Sequence, residues 1–146
     1  MPFTGPFEDR LAIRELYGTY SGAGFAGDRA AWLLCWADNP VWDTPAGKGE
    51  GVAALTAIWD GLWSGIEVMA FSAEVVSIEV EGDRARARAY CREVSNWKDG
   101  SKVKIIGRYD DDVVRTPQGW RMVAHHASPG SAHEPGDARD APQTLH

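Results

Sequence analysis

The sequence predicts an α+β fold: three helices, then a strongly curved, mainly antiparallel sheet. Three observations carry this. Apolar residues recur at helical spacing in the segments before Ser64-Gly65. After that point the pattern changes to alternation. Turn signals at Glu81-Gly-Asp83, Asp99-Gly100 and Arg115-Thr-Pro-Gln-Gly119 then cut the alternating half into hairpins. Helices grouped before strands place the helices on one face of a single sheet.

The first helix is predicted from Phe7 to about Ala23, with Leu11, Ile13, Leu16, Tyr17 and Tyr20 forming its apolar stripe. Gly18, Gly22 and Gly24 weaken its second half and suit a close approach of backbone to the sheet or to a ligand. A second helix is predicted from Asp28, its N-cap, to about Ala37, with Asn39-Pro40 ending it. Val41 to Thr44 reads as a short strand and Pro45 to Gly51 as a loop. The third helix runs from Val52 to about Trp63 on the stripe Val52, Leu55, Ile58, Trp59 and Leu62.

Four strands follow, from Met69 to Glu81, Arg84 to Trp97, Lys102 to Val114 and Gly119 to His126. On the third of these, alternation groups Ile105, Gly107, Tyr109, Asp111 and Val113 on one face, read as the inner one. On the fourth, Val123 and His125 share one face, and Trp120, Met122, Ala124 and His126 the other. Both faces are largely apolar, so either histidine can be the one that points inward.

A chain of 146 residues is long enough for one well-filled core, here residues 1–127. Residues 128–146 hold almost no core-forming side chains and are expected to form a flexible tail. The net charge of −6 argues against general binding to nucleic acid or to an anionic membrane. The stripe Arg84, Arg86 and Arg88 alternates with alanine and reads as an outer strand face. Neither a signal peptide nor a membrane span is expected, and the widely separated Cys35 and Cys91 read as buried thiols of a cytoplasmic protein. No metal-ligand spacing is evident, since adjacent His125 and His126 point to opposite faces of a strand. Some of the seven tryptophans must be ordinary core, but so many large flat side chains also suit a pocket for a bulky or aromatic ligand.

Several segments together resemble the nuclear-transport-factor-2-like superfamily, in its SnoaL-like and scytalone dehydratase-like branch. They are Ile13-Arg-Glu-Leu-Tyr-Gly-Thr-Tyr20, Trp36-Ala-Asp-Asn-Pro-Val-Trp42, Gly49-Glu-Gly51, Glu81-Gly-Asp-Arg-Ala85, Gly107-Arg-Tyr-Asp-Asp111 and Gly119-Trp-Arg-Met122. The resemblance covers about residues 7 to 127 and implies a cystatin-like cone, with a pocket between the curved sheet and the first helix. It also implies no metal or organic cofactor and a homodimer or homotrimer. Such folds host dehydratases, isomerases and cyclases among many other activities. Several of these enzymes use an Asp–His dyad, but its Asp position falls here on Phe25 or Gly24 and its His position on or near Phe71. Both are apolar, which argues against a dehydratase of that layout. The same resemblance places a polar or basic helix-one position on Tyr20 and a last-strand arginine on His125.

The candidate catalytic residues are therefore His125 as general acid or base, Asp111 as its orienting carboxylate, and Tyr20 as donor to a substrate oxygen. Candidate binding residues are Phe25, Trp36, Trp42, Asp43, Trp63, Phe71, Glu93 and Tyr109. Asp43 is placed at the pocket mouth, and Glu93 is an interior carboxylate whose desolvation would suit a base. The reading is a cofactor-independent lyase or isomerase acting on a bulky, apolar, aromatic or polycyclic small molecule. The alternatives are a non-catalytic small-molecule binder and an assembly partner of the same fold.

Overall fold

The computed structural model describes residues 2–129. It contains β1 (Phe3–Thr4), α1 (Phe7–Ala26), α2 (Arg29–Leu33), β2 (Trp36–Thr44), β3 (Gly47–Glu50), α3 (Val52–Gly65), β4 (Ile66–Glu81), β5 (Arg84–Trp97), β6 (Lys102–Thr116) and β7 (Gly119–Pro129). The predicted α+β class holds, with a strongly curved mixed sheet in the order β1-β4-β5-β6-β7-β2-β3. Strands β4 to β7 form the antiparallel meander, while β1 runs parallel to β4 and β2 parallel to β7.

Helix α1 buries Ile13, Leu16, Tyr17, Tyr20, Ala23 and Gly24 along one stripe, at the spacing the sequence predicts. It continues past the predicted end because Gly24 stays helical, close enough that an added Cβ would lie 3.7 Å from the Phe71 ring. Gly27 ends it, at a left-handed φ of 66° that L side chains rarely adopt.

Three expectations are corrected. The second helix stops at Leu33, with Asp28 capping it by accepting from the Ala31 N–H at 3.0 Å. Its expected second half belongs to β2: the Cys35 carbonyl accepts from the Met122 N–H at 2.8 Å, and Trp36 pairs with Met122. An apolar run this short suits either period, and pairing with β7 decides it. Asn39 and Pro40 thus lie in an irregularity of β2, where Asn39 takes a positive φ of 52°. The expected loop before α3 contains β3, which pairs with β2 antiparallel and carries no apolar alternation. Ser128 and Pro129, assigned to the tail, complete β7 opposite Arg108 and Gly107. The rest of the expected tail lies outside the described residues.

On β6 the predicted inner face is buried from Gly107 through Tyr109 and Asp111 to Val113, whereas Ile105 is 42% exposed at the open end. On β7, Trp120, Met122 and His125 are all buried, which simple alternation forbids. A bulge resolves it: Val113 pairs with Met122 and Asp112 with Ala124, leaving Val123 as the extra residue.

Candidate functional site

The bulge on β7 turns His125 inward, and regular pairing places it directly across from Asp111 of β6 and Trp42 of β2. His125 is wholly buried, whereas the side chain of His126 is half exposed. His125 Nδ1 lies 2.8 Å from Asp111 Oδ1, with no aligned hydrogen bond between them. The other carboxylate oxygen of Asp111 accepts from the Tyr17 hydroxyl of α1. Helix and sheet are thereby joined through one buried chain, Tyr17–Asp111–His125.

His125 Nε2 is buried and has no hydrogen-bond partner among the described residues. Buried polar atoms are normally satisfied, so a free imidazole nitrogen is an unusual feature. The ring sits inside an aromatic cage. Trp42 stacks on it at 4.7 Å, Tyr109 meets it edge-on at 4.3 Å, and Tyr20 and Trp36 stand 5.8 and 5.9 Å away. Phe71 extends the cage by packing on Tyr20 and stacking on Tyr109. Burial pushes the hydroxyls of Tyr17, Tyr20 and Tyr109 well above the ordinary tyrosine range, with the negative charge of Asp111 adding to the effect on Tyr17 and Tyr20. These phenols stay protonated and act as neutral donors.

The candidate residues therefore divide. His125, Asp111, Tyr20, Trp36, Trp42, Phe71 and Tyr109 come together. Phe25 does not: it is 62% exposed, because the buried stripe of α1 passes through Gly24 beside it. Asp43 is directed away from the cone, opposite His126, and pairs with Lys48 at 3.2 Å. Trp63 is half-buried against Trp59 and over Gly27, apart from the His125 cage. Glu93 is half-buried on the inner face of β5, beyond the cage, where burial raises its carboxyl above the ordinary range. Tyr17 is the residue sequence reasoning missed. Its position one helical turn before Tyr20 was the available signal, but a tyrosine on an apolar stripe reads as core.

The cage is filled by its own side chains. One surface cleft of about 610 Å³ lies between Leu33, Leu34 and Trp36 on one side and Arg84, Arg115 and Arg121 on the other. A second of about 420 Å³ lies on the outer sheet face around Arg86, Arg88, Asp110 and His126. His125 lines neither. Among the described residues no group of three potential metal ligands occurs. Cys35 and Cys91 are free and buried, and burial raises both thiols, Cys35 to about 12, so neither is an effective nucleophile. No described helix is long and apolar enough to cross a membrane.

Helices packed on a strongly curved sheet give the fold of nuclear-transport-factor-2-like proteins. Residues 6–126 match the SnoaL-like domain, and the chain belongs to that family. An uncharacterized protein of Mycobacterium tuberculosis is 43% identical over 49 residues, or 32% of this chain. The match spans about a third, 33%, of the length of that curated relative. A Novosphingobium aromaticivorans structure, provisionally named an aromatic ring hydroxylase, shares 28% identity and a TM-score of 0.82 over 86% of this chain and 92% of that one. From the same organism, an NTF2-like protein with a cystatin-like fold shares 26% identity and a TM-score of 0.72, covering 86% and 84% of the two chains. Of the two positions that the resemblance offered for the dyad Asp, Phe25 is 62% exposed, while Gly24 lies beside Phe71, where an added Cβ would be 3.7 Å from the ring.

Proposed function

We propose that the chain is a cofactor-independent lyase or isomerase for an aromatic or polycyclic small molecule, with His125 as the acid–base group. The observation that carries this reading is the buried, unpartnered Nε2 of His125 inside a cage of aromatic rings. A neutral imidazole can accept a proton at Nε2 while Asp111, held by Tyr17, fixes the ring and balances the imidazolium that forms. The proton leaves substrate carbon for Nε2. It then returns to another carbon in an isomerisation, or to a departing hydroxyl in an elimination. Tyr20, kept protonated by burial, donates to the substrate oxygen on which negative charge develops. The rings of Trp36, Trp42, Phe71 and Tyr109 supply the apolar surface that an aromatic substrate would cover. The name given to the Novosphingobium structure points to the same substrate class.

Because the cage is closed, substrate entry requires a wall to move. Phe71 is the wall residue only half-buried, so it is the natural door. The same closure favours a second reading, a non-catalytic binder, in which the apolar Gly24–Phe71 pair reflects a lost reaction. Titration of tryptophan fluorescence with aromatic and polycyclic metabolites, each hit followed by mass spectrometry, separates the two. A change of mass or isomer supports the enzyme, and binding without product supports the binder.

The proposal includes a homodimer or homotrimer. The outer sheet face exposes Val68, Tyr90, Val94 and Ile106, the last at 70%, on neighbouring strands. A monomer by light scattering would remove this part of it.

A further inference from the structure

The inner face of β5 runs Ala85, Ala87, Ala89, Cys91, Glu93, so four small side chains are followed by one carboxylate. Glu93 is half-buried, while its neighbours Arg92 and Val94 are exposed, which fixes its direction toward the cone. It stands directly across from Phe71 on β4 and Ile105 on β6. Among the described residues it has no ion-pair partner and no side-chain hydrogen bond. Ala89 pairs with Tyr109, Cys91 with Gly107 and Glu93 with Ile105, so Cys91 and Glu93 continue the inner-face corner that begins at Tyr109. That corner adjoins the cage, because Tyr109 also packs edge-on against His125 and face-to-face on Phe71. Beyond it, Val103 and Ile105 are 36% and 42% exposed at the open end of the cone.

We propose that Glu93 forms a recognition subsite at the mouth of the cone, beyond Tyr109, taking a hydrogen-bond donor at the far end of an aromatic substrate. The inference rests on the reading of the cage as an aromatic site and narrows its substrate class to molecules carrying a distal hydroxyl or ammonium. A carboxylate in an apolar corner is poorly solvated, and a donor that reaches it replaces the missing water. Four strand steps separate Glu93 from Ala89, the partner of Tyr109, a span of ~13 Å. Once Phe71 moves to open the cage, an elongated two-ring substrate can lie along Phe71 and Ile105, with one end toward His125 and the other at Glu93.

The test is a fluorescence titration of the full chain with three probes: 4-phenylphenol, 4-phenylbenzylamine and 4-methoxybiphenyl. The wild type should bind the phenol or the amine about tenfold or more tightly than the methoxy compound, as expected for a hydrogen bond to a charged group. Comparison of the phenol with the amine identifies the preferred donor. Glu93→Leu should abolish the preference while still binding 4-methoxybiphenyl. Equal binding of all probes by the wild type, or a preference that survives in Glu93→Leu, overturns the subsite and leaves the aromatic cage standing. Failure of every probe to bind the wild type overturns both.

Discussion

His125 Nε2 has no partner among the described residues, and the residues around it explain how such an atom is held in place. Trp42 and Tyr109 fix the ring by packing, and Asp111 fixes its edge from the Nδ1 side. Replacing His125 by Ala should therefore lower turnover by ~10²-fold or more, the usual size of a lost acid–base group. Single-turnover assay on the substrate identified by mass spectrometry measures it, and unchanged turnover removes His125 from the mechanism. Tyr17 acts one step back, as a positioning residue. Tyr17→Phe leaves one buried carboxylate oxygen of Asp111 without its donor, at a cost of ~1–3 kcal/mol. The variant should show a lower Tm and also a displaced pH–rate profile, since the carboxylate beside His125 is then differently stabilised. A lower Tm with an unmoved profile would make Tyr17 purely structural. At this scale Asp111 was legible, because alternation along Gly107 to Val113 carries it inward beside Tyr109. His125 was legible only as one of two histidines. Tyr17 was hidden by its own stripe, where the partner that gives it a role lies 94 residues away.

At the level of elements, periodicity identified the helices and long strands but not the places where backbone departs from its period. The bulge at Val123 is such a place, and it alone selects His125 over His126. An extra residue in one strand has no composition of its own, so alternation could only leave the choice open. The end of α1 is another. Three glycines weaken the second half of the helix by composition, yet Gly18, Gly22 and Gly24 all remain helical and the helix runs on to Ala26. Only Gly27 needs its freedom: its φ is positive, and an added Cβ would lie 3.1 Å from the Trp63 ring. Gly27→Ala should destabilise the protein by ~1–2 kcal/mol, the cost of a left-handed non-glycine residue. The midpoint of urea unfolding reports it. An unchanged midpoint would show that the α1 end can relax, and Gly18→Ala, which meets open space, is the matched control.

Across the whole molecule, the order of helices and strands was legible because each long element carries its own apolar period. The edges were not. Strands β1 and β3 are made by backbone pairing of residues without alternation, and β2 is recruited to β7 over a stretch that reads equally well as helix. The closed end of the cone is held by a network that joins three parts of the chain. Arg115 of β6 pairs with Asp9 of α1 at 2.9 Å and with Asp83 of the β4–β5 turn at 3.0 Å, and its guanidinium lies 4.6 Å from the centre of the Trp120 ring. The Trp120 indole also donates to Asp9. The Arg115 hydrogen bond, then that of Trp120, hold the Asp9 carboxyl below its ordinary 3.8. A carboxyl depressed in the folded state adds stability that is fully present above its unfolded value and is lost as pH falls through the folded one. Arg115→Gln removes the larger of the two hydrogen bonds, so the variant should melt at a lower temperature than the wild type near neutral pH. The gap should stay constant between about pH 5 and 8 and close as pH drops below about 4, where Asp9 becomes protonated in both proteins. Differential scanning calorimetry across that range measures the gap. A gap that persists undiminished below pH 3 would mean that Arg115 holds the closed end through its packing on Trp120 and not through the charge of Asp9.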